Sequence, residues 1–319
     1  MTMPPVWAWD GKAINRNGLY SDVPMAAYHS GRLCERPSLS SSGLRKIVLK
    51  SESHFFDSWP LNPDHYCPTP NEGMILGRAA HHLLLGQPNF RKEFVIRPTE
   101  CLDAKGVLGP WQGNKYGAKK WMEDQAAAGL TVLTPEQSEA IIGMAKRLGR
   151  EPLVMKGALN GLCEITMAWL DPDTGVWCLS RPDVIPTASG DFVDVKTLGR
   201  GTVSHSTLMH VIAEHGYHMQ AALCREGWRI ISGGQEMTSF SLYFVESTRP
   251  YCARMVQVMD RALDLGERQN RMGRQRFVRA LNTGSWPGPG GLQEMVGQID
   301  LADKVKQVME QDLARNGVI

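Results

Sequence analysis

Long apolar runs are missing from this sequence: no stretch approaches the ~18–20 consecutive apolar residues that a membrane span needs. The opening MTMPPVWAWDGK has no basic segment followed by an apolar one, so we expect a cytoplasmic chain with no membrane association. Paired cysteines are missing too. The seven cysteines (Cys34, Cys67, Cys101, Cys163, Cys178, Cys224, Cys252) are odd in number, widely spaced and never in a CxxC pair. That argues for reduced thiols and against a zinc knuckle or a four-cysteine iron–sulfur cluster. Charge of one sign is scarce, because 35 Lys and Arg against 33 Asp and Glu leave a formal +2. A polyanion partner would have to be held by local patches rather than by the field of the whole chain. There is no glycine-rich strand–helix loop for a nucleotide cofactor, which disfavours a methyltransferase, and no internal repeat or low-complexity tract.

The 319 residues are 42% hydrophobic, enough for one large domain or two modest ones. The first 37 residues mix Pro, Gly and isolated aromatics without a period, and read as an irregular N-terminal arm. A main domain then spans 38–282, and a linker with a helical extension fills 283–319. SLSSSGLRKIVLKSESHFF predicts a serine-capped helix near 41–57, and MILGRAAHHLLLG a deeply buried helix, apolar almost all round. FVIRP suggests a short strand; GNKYGAKKWMEDQAAAG and TPEQSEAIIGMAKRLGRE suggest two helices, the second capped by Thr134. From 162 the runs LCEITMAWL, GVWCLSRPDVI and DFVDVKTL predict a three-stranded meander. A helix broken near Gly216, the strand TSFSLYFVEST with YCARMVQV as its neighbour, and an Arg-rich helix over 258–282 complete the pattern.

The meander carries charge where a strand normally carries apolar side chains. Alternation puts Phe192, Asp194 and Lys196 on one face of DFVDVKTL and Val193 and Val195 on the other, so the valines supply the burial. A turn at PTASGD folds the preceding strand back antiparallel, which brings Asp183 beside Asp194 and Lys196. Two carboxylates forced together favour a cation between them, hard oxygen ligands select Mg²⁺ or Mn²⁺, and a nearby lysine can orient a water: the chemistry of phosphodiester hydrolysis. The alternative is a surface hairpin with a solvated ion pair. Three further features bear on the choice, each with a plain structural reading beside it. His81 and His82 sit in an apolar helix and need a polar partner or a metal, or are simply core histidines. Glu164 can approach from the neighbouring strand or stay in solvent; Tyr217 and Gln220 share a helix face and can position a nucleophile or merely pack.

Together these segments resemble the PD-(D/E)xK nuclease superfamily, and within it the RecE (exodeoxyribonuclease VIII) type of phage recombination exonuclease. The likeness runs in family order over about residues 38–230, through LSSSGLRKIVLKSESHFF, GRAAHHLLLGQPNF, RPDVI, DVKT and YHMQAALCREG. It implies an α/β (α+β) restriction-endonuclease-like core with a mixed sheet flanked by helices. It puts His81, Asp183, Asp194 and the Val195 carbonyl on one or two Mg²⁺ ions, for which Mn²⁺ can substitute, with no iron–sulfur cluster. Lys196 is then the catalytic lysine, Glu164 an auxiliary acid, and Tyr217 and Gln220 the supporting helix motif; spacing from Gly77 selects His81 over His82. Two departures are plain: the acid two residues before the lysine is Asp194 rather than the commoner Glu, and Leu223-Cys224 stands where a later aromatic is usual.

The implied activity is 5′→3′ degradation of linear double-stranded DNA from its ends, releasing 5′-phosphomonoesters and leaving 3′ single-stranded tails. It further implies a homo-oligomeric ring (tetramer in the RecE type, trimer in the lambda-exonuclease type), a RecT-like single-strand annealing protein as partner, and the bacterial host cytosol as location if the chain is phage-encoded. The alternatives are a Cas4- or RecB-type single-strand or structure-specific nuclease, and a non-catalytic DNA-binding protein on the same fold. Candidate DNA contacts are Lys115, Lys119 and Lys120, and a late helix assigned Arg254, Arg261, Arg268, Arg271, Arg274, Arg276 and Arg279, whose other reading is a solvated face. Arg36, Ser41, Ser42 and Arg45 offer a 5′-phosphate site at a helix N-terminus, or simple serine capping.

Overall fold

The computed structural model describes residues 2–67, 69–87, 89–187, 189–290 and 303–315. With elements numbered in chain order, the described strands form two five-stranded sheets and two short pairs. The first sheet runs β1 (Val6–Ala8), β2 (Gly18–Ser21), β9 (Thr166–Leu170), β10 (Trp177–Ser180), β3 (Ser38–Ser40). The second runs β14 (Ala253–Gln257), β13 (Ser239–Glu246), β12 (Asp191–Leu198), β11 (Val184–Ile185), β8 (Leu162–Cys163). The pairs are β4 (Phe94–Ile96) with β7 (Thr131–Leu133) and β5 (Glu100–Leu102) with β6 (Leu108–Pro110). The helices are α1 (Met25–His29), α2 (Ser41–Leu49), α3 (Glu52–Asp57), α4 (Glu72–Leu84), α5 (Phe90–Glu93), α6 (Tyr116–Ala127), α7 (Pro135–Leu148), α8 (Pro152–Met155), α9 (His205–Glu214), α10 (Tyr217–Ile231), α11 (Asp260–Thr283) and α12 (Asp303–Arg315).

Strand β12 lies parallel to β13 in the middle of the second sheet, and both its faces are covered. Phe192 joins Phe240, Leu242 and Phe244 in a core shared with α2, α10 and Trp169 of the first sheet. Val193 and Val195 join Tyr243 and Val245 against α4 and α7. The valines therefore do not supply the burial alone, and Asp194 is only 1% exposed. Helices on both sides of a parallel strand pair leave no solvent face.

The expected meander is divided between the sheets. Strands β8 and β9 are one run bent at Glu164, whose φ of 55° is left-handed, and β10 and β11 are one run interrupted at Arg181-Pro182-Asp183. Proline cannot donate to a ladder and a left-handed residue turns the strand, so this ribbon leaves the first sheet and enters the second. There β11 pairs antiparallel with β12 at Val184↔Val193, as the turn chemistry predicted.

The first 37 residues are not an irregular arm. Strand β2 pairs antiparallel with β9, β1 lies parallel to β2, and Ile14, Tyr20, Val23, Tyr28 and Leu33 form a core with Trp177 and Leu179. Strands of three and four residues are too short to carry a readable alternation. Two helix expectations also change. The 41–57 helix is broken into α2 and α3, because Ser51 caps a fresh start by accepting from the His54 N–H. Helix α4 buries only Ala79, Ala80 and His82, with Met74 and Leu83 exposed, since it packs one small-residue stripe on the sheet instead of being enclosed. The expected cap at Thr134, which the structure extends to a capping box with Gln137, the break at Gly216 (φ 64°), and strands β13 and β14 are present. Arg254 lies on β14 and not on the late helix, and residues 291–302 and 316–319 of the expected linker and extension fall outside the described residues.

Candidate active site

Three elements converge where the ribbon changes sheets. Helix α4 comes close to β12 at Gly77, where an added Cβ would lie 3.3 Å from the Thr197 hydroxyl oxygen. One turn on, His81 reaches over the strand: its Nε2 is 2.6 Å from Asp183 Oδ2 and 3.1 Å from the Val195 carbonyl oxygen. His81 Nδ1 is 3.4 Å from Glu164 Oε1 on the other side of the ring. Asp183 Oδ2 also accepts the Val195 N–H at 2.5 Å, and the Glu164 N–H donates to the Asp183 carbonyl at 3.2 Å. Ligand atoms of His81, Glu164 and Asp183 all lie within 4.8 Å of one another.

Asp194 takes a different course. One carboxylate oxygen pairs with the Lys196 ammonium; the other accepts from Gln220 Nε2 at 2.8 Å. Lys196 lies over the Tyr217 ring at 4.8 Å, and Arg45 faces the same ring at 5.6 Å while donating to the His215 carbonyl at 2.8 Å. Gln220 and Tyr217 are both on α10, so that helix holds the acid and the lysine in place from behind.

The electrostatics follow from burial against pairing. Burial and the nearby Asp194 carboxylate push Asp183 up from 3.8 to about 6. Burial would lower His81, but the Asp183, Glu164 and Asp194 carboxylates outweigh it and raise it well above its usual 6.5. Burial likewise opposes the Lys196 charge, and Asp194, Asp183 and Tyr217 overcome it, so its pKa rises and it is an ammonium at neutral pH. Two carboxylates and an imidazole around one point, with a carbonyl at the rim, are a donor set suited to a hard divalent cation.

His81, Glu164, Asp183 and Val195 thus come together, with Asp194, Lys196, Gln220 and Tyr217 beside them. The sequence-derived set differs in one respect: Glu164, expected as an auxiliary acid, stands nearest His81 and Asp183, while Asp194 faces Lys196 and Gln220. His82 is buried against Phe90 and Phe94, in keeping with a structural role. Of the proposed 5′-phosphate residues, Arg45 borders the site through Tyr217. The cap of α2 is Ser40, which accepts from the Gly43 N–H and pairs with the Ser42 hydroxyl, while Ser41 follows it in the first turn. Arg36 is elsewhere, near Gly175 in the β9–β10 turn, at the opposite end of that hairpin from Glu164 and Asp183.

Lys115, Lys119 and Lys120 lie at the start of α6 beside the β5–β6 hairpin, where Lys115 Nζ donates to the Pro110 carbonyl. The late arginines are partly withdrawn from any DNA-facing role. Arg274 is buried between Glu226 (2.9 Å) and Asp171 (3.2 Å), and Arg276 and Arg279 pair with Glu52, because one face of α11 packs on α2 and α10. Sequence reasoning gave no role to Arg181, whose Nη1 is 4.0 Å from Glu164 Oε2. A cation two residues before Asp183 was the available clue.

No curated protein matches the chain. Among solved structures it is similar to a crystal structure named "Putative exonuclease" from Eubacterium rectale, with a TM-score of 0.57 and 13% identity over 90% of this chain and 98% of that one. At that identity the likeness is one of fold alone. A family model described as a PDDEXK-like domain of unknown function (DUF3799) matches residues 40–298, and the chain belongs to that family.

Proposed function

We propose that this protein is a metal-dependent exodeoxyribonuclease that degrades linear double-stranded DNA 5′→3′, releases 5′-phosphomonoesters and leaves 3′ single-stranded tails for strand-annealing recombination of the phage type. The observation that carries this reading is the meeting of His81, Glu164 and Asp183 within 4.8 Å, beside the buried Asp194–Lys196 pair. Membership of a PDDEXK-like family and a fold shared with a protein named "Putative exonuclease" support it.

In this reading His81, Asp183, Glu164 and the Val195 carbonyl hold Mg²⁺, or Mn²⁺ in its place, and Asp194 completes the set for one or two ions. When bound, such a cation stabilises charge on the scissile phosphate and makes a coordinated water more acidic. Lys196, kept as an ammonium, donates: it orients the attacking water or a non-bridging phosphate oxygen and offsets charge that grows in the transition state. Gln220 fixes the Asp194 carboxylate, and Tyr217 backs the Lys196 stem. In this reading Arg45, which neighbours Tyr217, meets the phosphate of a DNA end. The working assembly is a cytoplasmic homo-oligomeric ring, a tetramer with a trimer as the other closure, acting with a RecT-like annealing protein; a ring concentrates modest local charge around a channel, which fits a chain of net charge +2.

The test is digestion of duplexes with 5′-phosphate, 5′-hydroxyl or hairpin-blocked ends, and of circular duplex, in Mg²⁺ or EDTA, with products sized over time. Mg²⁺-dependent loss from open 5′ ends with circular DNA untouched is expected. Cutting of circular or blocked DNA at the same rate would overturn the exonuclease reading, and no cutting of any substrate would overturn catalysis. Light scattering on the purified chain checks the ring.

A further inference from the structure

We propose that Arg181 is a positioning residue for Glu164, and that through it the N-terminal segment Val23–Tyr28 sets the geometry of the acidic cluster. The inference rests on the reading that His81, Glu164 and Asp183 hold a divalent cation. Arg181 stands where β10 leaves the first sheet, and its side chain is 7% exposed. Its guanidinium is held on almost every side. Nε and Nη2 donate to the Thr166 hydroxyl at 3.0 and 2.6 Å, Nη2 also donates to the Val23 carbonyl at 2.8 Å, and Nη1 lies 2.8 Å from the Met25 sulfur. The flat face covers the Tyr28 ring at 4.5 Å. What remains is the side of Nη1 that faces Glu164 Oε2 at 4.0 Å.

That distance is informative. It is longer than a hydrogen bond, so the guanidinium steers the carboxylate by charge without occupying its lone pairs. Glu164 keeps one oxygen toward His81 and the other toward Arg181, and both remain able to take a further ligand. The backbone there fixes where the side chain starts: Glu164 has a φ of 55°, a conformation that residues other than glycine seldom adopt, and its N–H is pinned to the Asp183 carbonyl. A carboxylate so placed, next to a second one, borders a cleft of about 670 Å³ whose lining includes both Glu164 and Arg181, and a fixed cation on that wall limits how far it can turn. Arg181 is that cation, and its own anchors lie on β9 and on the segment Val23–Tyr28, whose packing thus reaches the site.

The experiment uses the full chain and Mn²⁺ alone, titrated by electron paramagnetic resonance, so that cleavage is not the readout. The proteins are wild type, Arg181→Met, Arg181→Lys, Glu164→Gln and the Arg181→Met/Glu164→Gln double variant. Outer residues that orient ligands are worth roughly 10–100-fold in metal affinity, so Arg181→Met should weaken Mn²⁺ by about tenfold. The double variant should bind no more weakly than Glu164→Gln alone, because Arg181 acts through that carboxylate, and Arg181→Lys should recover part of the loss. Wild-type Mn²⁺ affinity in Arg181→Met, or penalties that multiply in the double variant, would overturn the proposal while leaving the cation reading in place. If the wild type itself binds no Mn²⁺, the cation reading fails and this inference fails with it. Should circular dichroism show that Arg181→Met does not fold, Thr166→Val serves in its stead. It removes the acceptor of two guanidinium N–H bonds and must show the same loss, again absent in the Glu164→Gln background; unchanged affinity in Thr166→Val overturns the proposal equally.

Discussion

In the proposed mechanism Lys196 and Asp194 carry both cleavage and stability, because they are a buried ion pair. Replacing Lys196 by Ala should cut Mg²⁺-dependent cleavage by about 10²–10⁴-fold, the usual range for a group that handles the reacting proton or charge. It also leaves the Asp194 carboxylate, 1% exposed, without its cation. Breaking a buried pair from one side costs about 3–5 kcal/mol, so the variant should unfold at lower urea, and an Asp194→Asn/Lys196→Met double variant should regain stability but not cleavage. Equal urea midpoints for the wild type and Lys196→Ala would contradict the burial argument.

The pH response follows from the other carboxylate. Asp183 is raised from 3.8 to about 6, so in metal-free protein the folded state holds a proton that the unfolded chain has released between those values. Its contribution to stability is fullest below about pH 4 and falls away as pH rises through about 6. His81, raised above 6.5, has the same sign: its contribution is present below that value and is lost at higher pH. A divalent cation competes with both protons. Mg²⁺ should therefore raise the melting temperature at pH 8 and have little effect at pH 5, and an equal rise at both would count against these ligands.

Among the elements, α10 and α11 show how closely the site depends on packing. A Cβ on Gly266 of α11 would lie 2.7 Å from the His218 carbonyl oxygen and 2.8 Å from Ala222 Cβ, so the two helices touch through backbone. Gly266→Val should destabilise by about 1–3 kcal/mol through overpacking, read from urea denaturation. It should also lower cleavage, because α10 carries Gln220 and Tyr217. A glycine inside a helix otherwise costs about 1 kcal/mol relative to alanine, so a gain in stability would show that the contact can relax. The start of α7 and the break at Gly216 were readable because a cap and a left-handed glycine act within a few residues. The division of the ribbon at Glu164 and Arg181–Asp183 was not, since continuous β-rich runs look the same whether one sheet or two receives them.

For the whole molecule, the sharpest difference lies in residues 2–37. Strand β2 covers the edge of β9, and Tyr20, Tyr28 and Leu33 cover Trp177 and Leu179. A chain starting at residue 38 would expose that apolar surface together with an unpaired strand edge. It should aggregate or remain unfolded, as judged by circular dichroism and gel filtration; a soluble, cooperatively melting 38–319 fragment would show that the N-terminal segment is dispensable after all.

The amino-acid order by itself determined the local terms of the site: the acidic hairpin that sets Asp183 beside Asp194, and the alternation that separates Asp194 and Lys196 from Val193 and Val195. Each depends on a period or a turn spanning fewer than about twenty residues, a range over which backbone geometry is legible. Only the tertiary structure decided that Glu164 stands nearest His81 and Asp183 while Asp194 is held by Lys196 and Gln220, and that Arg181 links this cluster to Val23 and Tyr28. Those meetings join segments far apart in the chain through a ribbon that changes sheets, and no local pattern encodes which side chains such a crossing brings face to face.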